Sequence, residues 1–443
     1  MRLIPLLVLA VLLAAADPAP AQTRTPDDPY PWLGRAPARQ PAYPALLISA
    51  RELARLPTAE QPLALDLRPA EAFARGHLPG ARPFDLETPL AAAIAAGSPA
   101  PLAAWLGEQG IGSETPLLLY ADGLGLPAIG RTLWALEWAG CAPPRVLADG
   151  IEAWARAGGV LETSAPPLAA PLPAPAPRPG LAVDNAWILA RMGDTRTAEI
   201  LDLRGEAAWA GETGHIPHAL AFDPARLLSA EGAWLPPDSA RAVLAAFGPR
   251  PRDRVDLEAT FVFAGADAAD PLPGFCYLLL RLIDVKAAVQ LGGWAAWQAD
   301  STLPATRILD TEAMRALLGA GNPALADERQ PRLPLFDLRG HGDFAREHLP
   351  GATPLPAHVV DDSLTVLIER WWPDLDPARD ALAFYCYGLD CVRSRIAATK
   401  AARLGWRHTL IYQGGVPAWR RAGLPLPGRG PQPLAPIPPS AQP

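Results

Sequence analysis

Leu65-Asp66-Leu67-Arg68 returns as Leu201-Asp202-Leu203-Arg204 and again as Phe336-Asp337-Leu338-Arg339. Each copy is followed by a histidine-proline turn: Gly76-His77-Leu78-Pro79-Gly80-Ala81, Gly214-His215-Ile216-Pro217-His218-Ala219 and Glu347-His348-Leu349-Pro350-Gly351-Ala352. An apolar run comes next, Leu117 to Tyr120, Thr260 to Phe263 and Ala381 to Tyr385. The series closes on Asp149-Gly150-Ile151-Glu152-Ala153-Trp154, Gly292-Gly293-Trp294-Ala295-Ala296-Trp297 and Gly414-Gly415-Val416-Pro417-Ala418-Trp419. Four segments in one order, three times over, define an internal repeat, and a repeat sets the architecture before any element is assigned.

The first Asp recurs after 136 residues and again after 135, the period of a whole domain and not of a solenoid repeat of about 20–50 residues. The 443 residues divide accordingly into domain 1 over 44–164, domain 2 over 181–302 and domain 3 over 303–427. An Ala/Pro tract at 165–180 reads as an extended, semi-rigid linker, a shorter break falls near Ser301 to Pro304, and 428–443 is a Pro-rich tail. Short apolar runs such as Leu63 to Leu67 and Pro116 to Tyr120 alternate with helical stretches such as Ala128 to Ala139. That alternation predicts an α/β fold, each domain a mostly parallel sheet with helices on both faces. Ligands of such sheets bind beyond the carboxyl ends of the strands, so the chemistry is sought in the loops there.

Composition narrows the function. Half the residues are apolar, and 37 Gly with 54 Pro fall short of the roughly 25–30% that marks low-complexity chains, so cores can form. Acids outnumber Lys and Arg by 46 to 39 with no basic tract, which argues against nucleic acid as a partner. Leu3 to Ala16 is an apolar run behind a single Arg2, too short to span a bilayer. With Ala19-Pro20-Ala21 as cleavage site it reads as a signal peptide over 1–21, followed by an N-terminal segment at 22–43. The expected mature protein is exported, periplasmic in a Gram-negative source, and free of the membrane after cleavage. Four cysteines, Cys141, Cys276, Cys386 and Cys391, are too few to staple three domains. Cys and His lack zinc-site spacings and the glycines lack nucleotide-binding patterns, so neither metal nor other cofactor is expected.

A strand ending in D-x-R, a G-H-x-P-G-A turn, a central strand opening into a loop and helix, and a closing G-G-x-x-x-W together resemble the rhodanese, or sulfurtransferase, domain. The resemblance covers nearly the whole mature chain as three tandem rhodanese-like domains. It implies that the catalytic cysteine is the first residue of the loop after the central strand. In domain 3 that residue is Cys386, followed by Tyr387, Gly388, Leu389, Asp390, Cys391, Val392, Arg393 and Ser394 as the substrate-binding loop, with a helix from about Arg395. Ala121 and Ala264 are read at the same position in domains 1 and 2, which makes those domains inactive.

The expected chemistry follows from the thiol. An ordinary cysteine, with pKa about 8.5, is mostly protonated at neutral pH, whereas helix N-termini and inward-facing amides stabilise a thiolate or a bound oxyanion. Gly388 eases the tight curvature such a loop needs, and Arg393 and Arg395 add positive potential unless Arg395 points to solvent. The implied reaction is attack of Cys386 on the outer sulfur of thiosulfate or a related donor, then release of that sulfur from the persulfide to a thiol acceptor. The loop departs from the family's C-x-x-G-x-R-S by about two residues, room for a bulkier substrate. Cys391, five residues on, is a candidate resolving cysteine or disulfide partner, against its being a plain small loop residue.

Asp337 and Arg339, with Asp66/Arg68 and Asp202/Arg204, occur also in the domains without the cysteine and are therefore read as structural. His77, His215 and His348 are read as turn residues, and Trp154, Trp297 and Trp419 as core anchors. Two other functions stay open. One is a non-catalytic binding scaffold of three rhodanese-like domains; on either reading, domains 1 and 2 are candidates for docking a protein partner. The other is a phosphatase or arsenate reductase, which needs C-x5-R, whereas Val392 occupies the arginine position.

Overall fold

The computed structural model describes residues 46–122, 126–164, 166–167, 169–230, 233–246, 256–319, 333–356, 360–389 and 391–428. The stretch expected as a signal peptide, the expected N-terminal segment, nearly all of the tail and Asp390 lie outside the described residues. Among those described, no helix is long and apolar enough to cross a membrane.

Three five-stranded sheets follow one another along the chain. The first holds β1 (Leu47–Ile48), β2 (Leu63–Asp66), β3 (Arg82–Pro83), β4 (Leu117–Tyr120) and β5 (Arg145–Leu147), in the order β1-β5-β4-β2-β3. The second holds β6 (Ala182–Val183), β7 (Ala198–Asp202), β8 (Leu220–Ala221), β9 (Thr260–Ala264) and β10 (Ala287–Gln290), ordered β6-β10-β9-β7-β8. The third holds β11 (Ala305–Leu309), β12 (Leu335–Asp337), β13 (Ala352–Pro354), β14 (Ala381–Tyr385) and β15 (His408–Tyr412), ordered β11-β15-β14-β12-β13. Every pairing in the three sheets is parallel. The central strands β4, β9 and β14 read LLLY, TFVFA and ALAFY and are buried almost throughout, as strands covered by helices on both faces must be. The three α/β domains expected from the repeat are therefore present.

Each domain is closed by a returning segment. The indole N–H groups of Trp154, Trp297 and Trp419 donate to the carbonyls of Val160, Pro304 and Pro425. That segment then meets the histidine turn: His77 bridges to Glu162 and His348 N–H donates to Pro427. In domain 2 the partner of His215 is Thr306, which is already part of β11. The expected break at Ser301 to Pro304 is followed directly by β11, which serves domain 2 as its closing segment and domain 3 as its first strand and so fixes one domain against the other.

Domains 1 and 2 share a core. Helices α1 (Leu126–Ala139) and α2 (Leu272–Leu282), which follow β4 and β9, pack together at Gly130 and Gly274, and a β-carbon on either would strike the other helix's backbone. Beside that contact Glu137 is buried and accepts from Tyr277 and Arg281 of domain 2. The Ala/Pro tract is extended but not free: Leu172 donates to Gly107, Ala176 to Ser113 and Arg178 to Trp138 of domain 1.

Between domains 2 and 3, His218, buried at φ 74°, faces Thr399 at 3.3 Å. Burial lowers its pKa to about 3, helped by Arg395 and Arg403. Because the unfolded histidine takes its proton near 6.5, the stability it contributes is present above that pH and is lost as pH falls toward 3. His215, lowered to about 3 chiefly by burial, acts in the same sense. Glu199 nearby is raised to about 7 by burial, against Arg395, so its contribution to stability runs the other way, falling as pH rises from about 4.5 to 7. His218→Asn keeps a residue that tolerates positive φ and removes one of the two histidine slopes. The fall in denaturant midpoint between pH 6.5 and 4 is expected to be shallower in the variant; an unchanged slope would contradict this assignment.

Candidate active site

Strand register locates the cysteine position in each domain. Asp337 pairs with Tyr385, Asp66 with Tyr120 and Asp202 with Ala264. Cys386 is the residue after its strand, and Ala121 is its counterpart in domain 1. In domain 2 the counterpart is Gly265, one residue past the expected Ala264, because Ala264 occupies the strand-end site that carries Tyr in the other two. Neither Ala121 nor Gly265 carries sulfur.

Asp337 and Arg339 build the floor under that strand end. Arg339 donates to Asp337 at 2.7 and 3.0 Å and to the Glu347 carbonyl at 2.5 Å. The Tyr385 hydroxyl donates to Asp337 at 2.6 Å and accepts from Leu349 N–H at 3.1 Å. Burial, then the Asp337 carboxylate, raises Tyr385 well above its ordinary value and keeps it a donor. Tyr120, Asp66 and Arg68 repeat the arrangement in domain 1. His348 stacks on Phe344 with centroids 4.1 Å apart, its Nδ1 on the Phe344 carbonyl, as His77 does on Phe73. These groups tie loops to strand ends and none lines the cleft beside the cysteines. Cys141 and Cys276 are buried in the cores, where burial pushes Cys141 up to about 12 and Cys276 well above its ordinary value.

The cysteine loop differs from the expected open thiolate. Cys386 is 1% exposed and is disulfide-bonded to Cys391, with Cα atoms 6.2 Å apart. In this oxidised state no thiolate exists, and of the two bonded residues Cys386 is buried and Cys391 half-buried. Gly388 takes φ 143°, and its carbonyl accepts from Cys391 N–H at 3.0 Å, which closes the loop. The closing Gly-Gly turn fits underneath because Gly415 has no side chain: a β-carbon there would run into the Cys386 carbonyl oxygen and the Gly388 nitrogen. Tyr387 donates to Asp343 at 2.7 Å, a bond that, with Arg346, holds the Asp343 carboxyl below its ordinary value. Leu389 is 75% exposed.

Helix α3 (Arg393–Arg403) begins two residues before the expected start. Arg393 and Ser394 are therefore its first turn and not loop: Ser394 is buried, and Arg393 is exposed with its guanidinium 5.5 Å from the Tyr387 ring centre. Val392 is the N-cap, so Cys391 stands one residue before the cap and Cys386 six before it. Arg395 points into domain 2, close enough to Glu199 to lower its pKa, and not to open solvent.

Beside the loop lies a cleft of about 1320 Å³. Cys391, Tyr387, Leu389 and Arg393 form one wall, and Cys386 is not part of it. The ends of β11 and β15 supply Arg307, Asp310 and Gln413, helix α4 (Gly415–Arg421) supplies Arg421, and domain 2 contributes Ala210 to Glu212. Asp310 and Gln413 immediately follow their strands, the edge at which open parallel sheets bind ligands. The sequence carried that signal for them; nothing in it pointed to Glu212, which reaches the cleft only through the shared β11.

The Rhodanese-like domain family matches residues 49–157 and 315–422. A Mycobacterium tuberculosis protein provisionally named a thiosulfate sulfurtransferase is 29% identical over 286 residues, 59% of this chain and 97% of that one. The thiosulfate sulfurtransferase of Azotobacter vinelandii is 32% identical over 200 residues, 41% of this chain and 73% of its own length. The crystal structure of an Escherichia coli 3-mercaptopyruvate sulfotransferase superposes with a TM-score of 0.45 at 25% identity, over 55% of this chain and 96% of that one. From the matched domains and the Azotobacter vinelandii relative, the chain belongs to the rhodanese-like sulfurtransferase family.

Proposed function

We propose that the protein is an exported sulfurtransferase whose single sulfur-carrying centre is Cys386 in domain 3, with domains 1 and 2 inactive. The observation that carries this reading is positional: of the three registered strand ends, only β14 runs into a cysteine. Reduction of the Cys386–Cys391 bond frees both sulfurs and releases the loop that buries Cys386. The Cys386 thiolate then attacks the outer sulfur of thiosulfate or a related donor, sulfite leaves with the electron pair of the broken S–S bond, and Cys386 keeps the sulfur as a persulfide. A thiol acceptor takes that sulfur and returns the thiolate. An oxidising compartment, as export implies, favours the bonded resting form.

A second reading, thiol–disulfide exchange without sulfur transfer, is favoured by the bonded pair beside a cleft. Initial rates separate the two. After reduction, varying thiosulfate against a thiol acceptor is expected to give the parallel double-reciprocal lines of a ping-pong reaction, and the oxidised protein is expected to be inert until reduced. Intersecting lines reject the persulfide route, and no sulfite release with several donors rejects sulfur transfer, leaving disulfide exchange if the pair cycles with thiols and the non-catalytic scaffold if it does not.

A further inference from the structure

We infer that the cleft between domains 2 and 3 binds an organic thiol bearing carboxylates, and that this thiol enters the chemistry at Cys391. The inference rests on the reading of Cys386 and Cys391 as a redox-active pair.

Three observations carry it. The cleft, at about 1320 Å³, exceeds the roughly 300–1,000 Å³ of ordinary small-molecule sites, far more room than an inorganic donor fills. Its walls bring together Arg307, Arg393 and Arg421 against the carboxylates of Glu212 and Asp310. Asp310 is committed as a helix cap, accepting from Ala313 N–H at 2.7 Å, so the exposed Glu212 is the acid left to face a ligand. Guanidinium groups fork onto carboxylates, and a lone glutamate suits an ammonium, a pattern that fits a small peptide thiol. Finally, the cysteine on the wall is Cys391, while Cys386 is 1% exposed.

The step follows from that placement. The ligand thiolate attacks Cys391 Sγ along the open side, a new S–S bond forms between them, and the Cys386–Cys391 bond breaks with its electron pair leaving on Cys386. A second thiol attacks the ligand sulfur of the mixed disulfide, Cys391 leaves as thiolate, and the ligand departs as its own disulfide. Two thiols are oxidised by two electrons in all, and the protons they lose pass to the two protein thiolates or to solvent.

The test uses the full oxidised chain and three probes: glutathione, neutral 2-mercaptoethanol and cationic cysteamine. Each rate of disulfide reduction is normalised to that thiol's rate with a small-molecule disulfide. We expect glutathione to be favoured about tenfold over both others, the effect of one good charge-assisted contact, and Arg307→Ala with Arg421→Ala to bring the preference below about threefold. Rapid alkylation and peptide mapping are expected to find the mixed disulfide on Cys391. Equal normalised rates, or an adduct on Cys386, overturn the inference. Thiosulfate loading of protein pre-reduced with a neutral phosphine is read separately: its failure beside an intact glutathione preference sinks the sulfurtransferase reading alone.

Discussion

Cys386→Ser is expected to abolish sulfur transfer, lowering the turnover of the reduced protein by at least about a thousandfold, because a serine hydroxyl neither ionises near neutral pH nor holds a sulfane sulfur. The substitution is expected to leave the fold in place, because it exchanges one atom of a small side chain just after β14 within its buried cluster. Cys391→Ser has the opposite signature. With no partner to bond, Cys386 is permanently free, so the variant is expected to transfer sulfur without prior reduction. Measured together, thiosulfate-dependent sulfite release from the two variants separates a nucleophile from its partner. Equal loss in both would assign the sulfur to the pair as a unit and contradict the division of roles.

The second large effect concerns stability. Asp337→Ala is expected to cost about 3–5 kcal/mol, because it leaves the buried Arg339 guanidinium without its carboxylate and Tyr385 without its acceptor. Asp66→Ala is expected to cost a similar amount in domain 1, where Arg68 and Tyr120 make the same contacts. The control distinguishes support from chemistry. Denaturant unfolding should show both losses, while sulfur transfer per folded molecule stays normal in Asp66→Ala and falls far less in Asp337→Ala than in Cys386→Ser. Loss of transfer in Asp337→Ala as complete as in Cys386→Ser, with stability intact, would make Asp337 part of the reaction.

Much of the molecule was legible in the residues. The runs LLLY, TFVFA and ALAFY carry the both-sides burial of central parallel strands, and the repeated D-x-R and histidine turns mark the strand ends they brace. Cys386 could be placed because the family resemblance puts the cysteine first in the loop after the central strand, and the run ALAFY leads straight into it. The same device failed by one residue in domain 2, where Ala264 replaces the tyrosine and only pairing with Asp202 reveals Gly265. The early start of α3 was hidden because Val392 offers no capping side chain to announce it. The cleft was illegible for a topological reason: β11 closes domain 2 and opens domain 3, so a wall contributed by Glu212 depends on a pairing 90 or so residues away, between His215 and Thr306. Burial of Cys386 was missed because a five-residue spacing fits both an open loop and one folded back by a disulfide.

The most direct measurement is the mass of the intact protein, reduced and then incubated with thiosulfate, followed by peptide mapping. The account predicts a gain of one sulfur atom, located on Cys386, released on addition of a thiol and absent without prior reduction. No gain after full reduction, or a sulfur carried by Cys391, would contradict it.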